Sequence, residues 1–169
     1  MTILKDLAVD ISLALQMGLR DTGMNTICEL VSNAVKKTDF VRTYLSDRAV
    51  GQDVREVLYE DEELGFCICG HVYADAAIGS PHDHGSSWAI YGQAEGETDM
   101  SEWTVVAEKS DGTKLVSKTS SYTMKAGDVR FYDIGVVHSP HRTDPVRLLR
   151  VEGENLDNIR RSDIEVVDE

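Results

Sequence analysis

A mainly-β fold, with an antiparallel sheet system closed into a barrel or sandwich behind a helical N-terminal segment, is predicted by three features of this 169-residue sequence. Apolar residues recur at helical spacing through the first third. From residue 53 onward the chain breaks into short β-branched and aromatic runs divided by Gly, Asp and Ser. Those runs are evenly spaced with little helix between them, which favours antiparallel closure over a parallel sheet. The length supports one ordinary hydrophobic core. No repeat or linker divides the chain, so residues 1–169 read as a single domain: a helical segment at 1–50 packed on a barrel at 53–153, then a polar tail at 154–169.

The first helix rests on Leu4, Leu7, Val9, Ile11, Leu13, Leu15 and Leu19, an imperfect stripe ended by Asp21-Thr22-Gly23. A second spans 25–37, with Ile27, Leu30, Val31, Ala34 and Val35 on one face and Lys36 and Lys37 near its C-terminus, where the dipole favours them. Thr38 or Asp39 caps a third, short helix containing Phe40, Val41, Tyr44 and Leu45. These stripes require an apolar partner surface. Strands are predicted at 54–59, 65–73, 88–92, 102–108, 114–124, 129–132 and 146–152, with a tight turn at Asp111-Gly112. The tail carries at most one helical turn and lies frayed or over the barrel.

Thirty acidic residues against seventeen basic ones give a formal charge of −13, which argues against nucleic acid and anionic lipid as partners. No apolar run approaches the roughly 20 residues of a membrane span. Residues 1–20 carry Asp6 and Asp10 and lack the pattern of an export signal, so a cytoplasmic protein is expected. Three cysteines do not make a disulfide scaffold. Cys67 and Cys69 share one strand face and read as buried free thiols, since no further soft-ligand cluster completes a Cys-x-Cys metal site.

Four of the five histidines fall in two groups, His82 with His84 and His138 with His141. Two apart on a strand, His82 and His84 face the same way. With one His from elsewhere they can occupy one face of a metal ion, since imidazole suits Fe, Zn, Ni and Cu. The competing reading is a surface pair near a turn. His141 reads as a pocket or rim residue rather than a fourth ligand, and His71 as a structural histidine.

The segment from Pro81-His82-Asp83-His84 through Tyr91-Gly92 to Gly96 resembles the first cupin motif, and Gly127, Gly135 and His138 match the second at the expected spacing. Ala89 stands where that first motif usually has glutamate, Asp133 where the second has proline, and Arg142 where it has asparagine. The resemblance covers residues 54–152 and implies the cupin double-stranded β-helix, a jelly-roll barrel. The nearest branch is that of the thiol dioxygenases, cysteine dioxygenase and mercaptopropionate dioxygenase, which share Pro-His-Asp-His followed by Trp and Gly. That likeness implies one metal held by His82, His84 and His138, with Fe(II) expected and Zn, Mn or Ni as alternatives.

The same comparison shows departures. Arg150 and Glu152 stand where the branch has the His and Tyr of its Ser-His-Tyr arrangement. Its carboxylate-holding arginine has no clear counterpart near the first barrel strand, where Tyr59-Glu60-Asp61 falls. An amine or thiol without a carboxylate is therefore expected as substrate, unless Arg147 or Arg150 supplies a relocated clamp. Arg150, Glu152 and Tyr132 are the candidate catalytic residues, with Arg150 and Glu152 read either as substrate anchors or as a buried salt bridge. Trp88, Tyr91 and His141 are the candidate pocket residues, and Trp88, Ile90 and Phe131 are expected to exclude water. The implied function is an iron dioxygenase-like reaction of a small-molecule substrate with O₂, in a protein for which a homodimer is allowed. The alternatives are a non-redox isomerase, lyase or hydrolase with Glu152 or His141 as base, or a non-catalytic binding cupin.

Overall fold

The computed structural model describes residues 2–18, 22–46 and 53–167. Three helices open the chain: α1 (Ile3–Gln16), α2 (Thr22–Val35) and α3 (Thr38–Tyr44). Ten strands follow: β1 (Val54–Glu60), β2 (Cys67–Tyr73), β3 (Ala77–Ile78), β4 (Ala89–Glu95), β5 (Thr98–Glu108), β6 (Lys114–Met124), β7 (Val129–Tyr132), β8 (Val137–Arg142), β9 (Val146–Glu152) and β10 (Ile164–Val166). They form two five-stranded sheets, ordered β1-β2-β9-β4-β7 and β10-β6-β5-β8-β3. Every pairing is antiparallel except that of β10 with β6. The chain crosses repeatedly between the sheets, which is the expected cupin double-stranded β-helix.

The helices bury their stripe on the outer face of the first sheet. Ile11, Ile27, Val31 and Phe40 form one core with Ile68, Ile90, Leu149 and Val151, the even strand positions of β2 and β4 and the odd ones of β9. The opposite face, carrying Cys69, His71, Tyr91 and Arg150, looks toward the second sheet. Contact is closest at Gly92, where an added Cβ would lie 2.5 Å from Val31 Cγ1 and 3.1 Å from Val35 Cγ1. Gly92→Val is therefore expected to push α2 off β4 and cost about 1–3 kcal/mol, as overpacking does. Urea unfolding measures it, and an unchanged midpoint would show that α2 is not seated there.

Several expectations need correcting. Only Leu7, Ala8, Ile11 and Ala14 of α1 are buried; Val9 and Leu13 are exposed, because burial follows one helical face and not every apolar residue. Leu19 and Asp21 lie outside the described residues. The Thr22-Gly23 turn is instead the start of α2, where a Cβ on Gly23 would meet Gly18 O at 2.1 Å. Lys37, not Thr38 or Asp39, is the α3 N-cap, and Asp39 pairs with Arg42 at 2.9 Å. Strands β3, β8 and β10 lie outside the segments that apolar alternation predicts. The tail contains a 3-10 turn (Leu156–Asn158) and then lies on the barrel, with β10 paired to β6. The turn at Asp111-Gly112 is present, with Gly112 at φ 87°.

Candidate metal centre

His138 stands on the inner face of β8, while His82 forms an isolated antiparallel bridge with it, each N–H donating to the other's C=O at 3.0 Å. His82 and His84 thus belong to a short loop and not to the regular strand expected. That loop is fixed by Asp83, which is 1% exposed and accepts from Gly85 N, Ser162 N, Ser162 Oγ (2.6 Å) and Lys114 Nζ (2.9 Å). Burial alone would raise the Asp83 pKa, but Ser162, Lys114 and the backbone donors outweigh it and hold the group below the usual carboxylate range. The acid between the two histidines is therefore a clamp on the tail, and it leaves both imidazoles free to turn inward.

One ligand atom from each of His82, His84 and His138 lies within 4.8 Å of the others. His82 Nδ1 is 2.9 Å from Ser80 O, which fixes Nδ1–H as donor and leaves Nε2 unprotonated. Tyr91 Oη is 2.8 Å from His84 Nε2 and 3.4 Å from His138 Nε2. Tyr132 stacks on His138 with ring centroids 3.9 Å apart and 18° between planes, its hydroxyl 2.6 Å from that of Tyr122. Burial pushes Tyr91 up to about 12 and raises Tyr132 further, so both are neutral phenols. His84 Nδ1 is buried with no partner among the described residues.

Burial lowers His82 to about 4, His84 to about 2 and His138 well below its ordinary value, with the Arg150 charge adding to each. Neutral imidazole is the form that binds a metal. The same shifts set a pH dependence. Because the folded pKa values lie below the unfolded value of about 6.5, the stability they carry is complete above pH 6.5. It is lost as pH falls toward 4 for His82 and toward 2 for His84. The melting temperature of the metal-free protein should be level above pH 7 and fall steadily from pH 6.5 to 4.5; a level profile across that interval would contradict it.

A cavity of about 220 Å³ opens beside the three histidines. His82, Tyr91, Arg150 and His71 line it, together with Arg55, Arg142 and Arg161. Arg150 lies 4.0 Å over the Tyr91 ring, faces the cavity, and has no partner for its Nε. Glu152 is fully buried and accepts from Arg55 Nη2 at 2.7 Å and Leu156 N at 3.2 Å, with Arg150 Nη1 3.5 Å away. Arg55, from β1, also lines the cavity, a position the sequence does not single out, but it is paired with Glu152 and so is no clear counterpart of the carboxylate-holding arginine. Only its position on the cavity face of β1, opposite His71, marks it out.

Two expected pocket residues are elsewhere. Trp88 belongs to the helix-side core with Ile90, its indole against Gly153, and it does not line the cavity. Ile90 and Phe131 share that outer side, so the site is walled by Tyr91, Met100, Met124 and Leu148 instead. His141 is exposed on the outer face of β8, because residues 138, 140 and 142 take the inner positions. A second cluster was also missed: Glu152 lies within 4.8 Å of Cys67 and Cys69, all buried. The hydrogen bond with Cys69, and then burial, raise the Cys67 thiol, which donates to Glu152 at 3.4 Å. These three groups can chelate a metal, but the carboxylate is already engaged by Arg55.

Fold and site together give a double-stranded β-helix of the cupin architecture with a three-histidine cluster able to hold a divalent metal. No family model matches the chain. No curated protein matches it. Among solved structures it is similar to a conserved protein with a double-stranded β-helix domain from Klebsiella pneumoniae, at 16% identity over 74% of this chain and 88% of that one, with a TM-score of 0.50. A cupin superfamily protein from Desulfitobacterium hafniense matches at 13% identity over 65% and 84%, TM-score 0.48. A cupin from Methanocaldococcus jannaschii matches at 14% over 68% and 91%, TM-score 0.48. At such identities the likeness is one of fold. Among the described residues no helix is long and apolar enough to cross a membrane.

Proposed function

We propose that this protein is a mononuclear non-haem iron enzyme that reacts a small organic substrate with O₂, with a thiol as the first class to test. The observation that carries the reading is the convergence of three neutral imidazoles, one of which, His82, lines the cavity, with the Tyr91 phenol between the other two. The residues fit a metal. His84 Nδ1 is buried without a partner among the described residues, protonation of all three rings is suppressed, and a set of three nitrogens suits Fe(II), Zn or Ni better than Mg or Ca. Fe(II) held by His82, His84 and His138 would supply the oxygen-dependent redox chemistry that no side chain carries.

The chain's own residues do the remaining work. Tyr91 donates a hydrogen bond toward whatever occupies the position beside the imidazole nitrogens, and Tyr132 holds the His138 ring by stacking. Arg150, fixed over Tyr91, faces the cavity as an anchor for a polar group, which replaces the expected amine or simple thiol by a thiol that also bears an acid. A non-redox reaction would need a general base, and the groups considered for it are poorly placed: His141 is outside the cavity and Glu152 is ion-paired. We take the chain to act as one domain, in the cytoplasm.

Anaerobic loading with Fe(II), followed by an oxygen electrode across a panel of thiols and amines, tests the proposal. Substrate-dependent oxygen uptake is expected for an acid-bearing thiol. Full metal retention with no uptake across the panel would sink the redox reading and favour a Lewis-acid or binding role for Zn, Mn or Ni.

A further inference from the structure

The cavity carries more positive charge than the reaction proposed above requires. In a chain of formal charge −13, four arginines line one cavity of about 220 Å³: Arg55, Arg142, Arg150 and Arg161. Arg55 is paired with Glu152 and Asp157, and Arg150 shares Glu152 at 3.5 Å. Four guanidinium groups against Glu152, Asp157 and the more distant Asp53 leave an excess of positive charge. Asp53 approaches Arg142 only at 3.9 Å, is half exposed, and does not line the cavity.

The remaining cations have donors that nothing satisfies. Arg142 and Arg150 are each 8% exposed, and the Nε of each is buried without a partner. His71 is 2% exposed; its Nδ1 is 2.9 Å from Tyr73 Oη, and its Nε2 has no partner. With the Tyr73 hydroxyl donating to Nδ1, the neutral ring presents Nε2–H as a donor. Arg161, at the exposed mouth, makes no ion pair or hydrogen bond among the described residues. Buried donors of this kind are normally satisfied, and guanidinium groups are best satisfied by acid oxygens.

The donors also fall at two places. Arg150 lies over Tyr91 beside the histidine cluster, and Arg161 immediately precedes Ser162, which is tied to Asp83. Arg142 lies over the Tyr73 ring at 3.7 Å. It shares the inner face of β8 with His138 but is four residues on, roughly 13 Å along the strand at 3.3 Å per residue. His71 stands on β2 two residues from Tyr73. The cavity holds roughly seven water-sized groups at about 30 Å³ each, so a ligand spanning both places is small.

We propose that the cavity binds a small molecule with two acidic groups, one held by Arg150 and Arg161 beside the metal and the other by Arg142 at the far end, with the His71 Nε2–H donor between them. This deepens the function proposed above and rests on its assignment of the cavity as substrate site. Arg142 then sets specificity, since it alone among the arginines serves only the distal acid.

Calorimetric titration of the Zn(II)-loaded protein tests this without any turnover. Succinate and glutarate should bind about 10-fold or more tighter than butyrate, and tighter than inorganic phosphate. Arg142→Gln should remove that advantage and leave butyrate binding unchanged, while Arg142→Lys, which keeps charge and stem, should retain most of it and guards against a folding defect. Butyrate binding as tightly as the diacids, or full discrimination persisting in Arg142→Gln, overturns the second acid site. Phosphate binding more tightly than the diacids overturns it in favour of a single doubly charged head group. A failed redox reading leaves these affinities untouched, and failed diacid binding leaves oxygen uptake with monoacid thiols untouched.

Discussion

His138→Ala is expected to abolish tight metal binding, with metal content after gel filtration falling from about one ion per chain to below about a tenth. Loss of a group that merely orients a ligand costs about 10–100-fold in affinity, and removing one of three ligands should exceed that. His138 is also the hub of the cluster. Its ring centroid is 4.6 Å from that of His82 and 4.8 Å from that of His84, and its backbone closes the bridge that holds His82. The bridge uses main-chain atoms and survives the substitution, so the variant should fold. The measurement also separates the two metal-capable clusters. Retained metal in His138→Ala, lost instead in Cys67→Ser, would move the centre to Cys67, Cys69 and Glu152 and sink the three-histidine assignment.

The sequence made the ligands legible because their spacing does not depend on which element carries them. His82, His84 and His138 converge although the first two lie in a loop and β8 went unrecognised as a strand. That strand reads Val-His-Ser-Pro-His-Arg, and its inner positions are His138, Pro140 and Arg142. A strand whose buried face is a polar cavity loses the apolar alternation by which strands are found. The same inversion hid Arg55. On β1 it faces the cavity beside residues that are only half-buried, so neither face looked like an interior.

The misplacement of Trp88 has the complementary cause. A large aromatic residue next to a ligand motif invites assignment to the pocket, but the two-residue period of β4 sends Ala89 and Tyr91 inward and Ile90 outward. Trp88 follows Ile90 into the helix-side core. Conversely, the helix-side face was readable because it is uniformly apolar: Ile68, Ile90, Leu149 and Val151 meet the stripes of α1 and α2. What could not be read was the pairing of distant residues. Asp83 with Ser162 and Arg55 with Glu152 join points 79 and 97 residues apart. No local pattern encodes these contacts, yet they decide how the tail closes over the site.

Glu152→Gln is expected to cost about 3 kcal/mol and to leave the metal in place. The carboxylate is fully buried and receives Arg55 Nη2, Leu156 N and Cys67 Sγ, with Arg150 Nη1 at 3.5 Å. Glutamine keeps the shape but removes the charge, so Arg150, itself 8% exposed, is left with an uncompensated guanidinium. Breaking a buried pair from one side costs about 3–5 kcal/mol. The low end applies because the Arg55 side chain is 21% exposed and retains Asp157. For a chain of this size that is a fall in melting temperature of roughly 6–12 °C. The fall should be smaller with a bound anion in the cavity, which supplies the missing negative charge to Arg150. A melting temperature within about 2 °C of the parent would mean that Glu152 does not neutralise the arginines at all. Loss of metal would mean that it is a ligand, and only the Cys67–Cys69–Glu152 cluster predicts that loss.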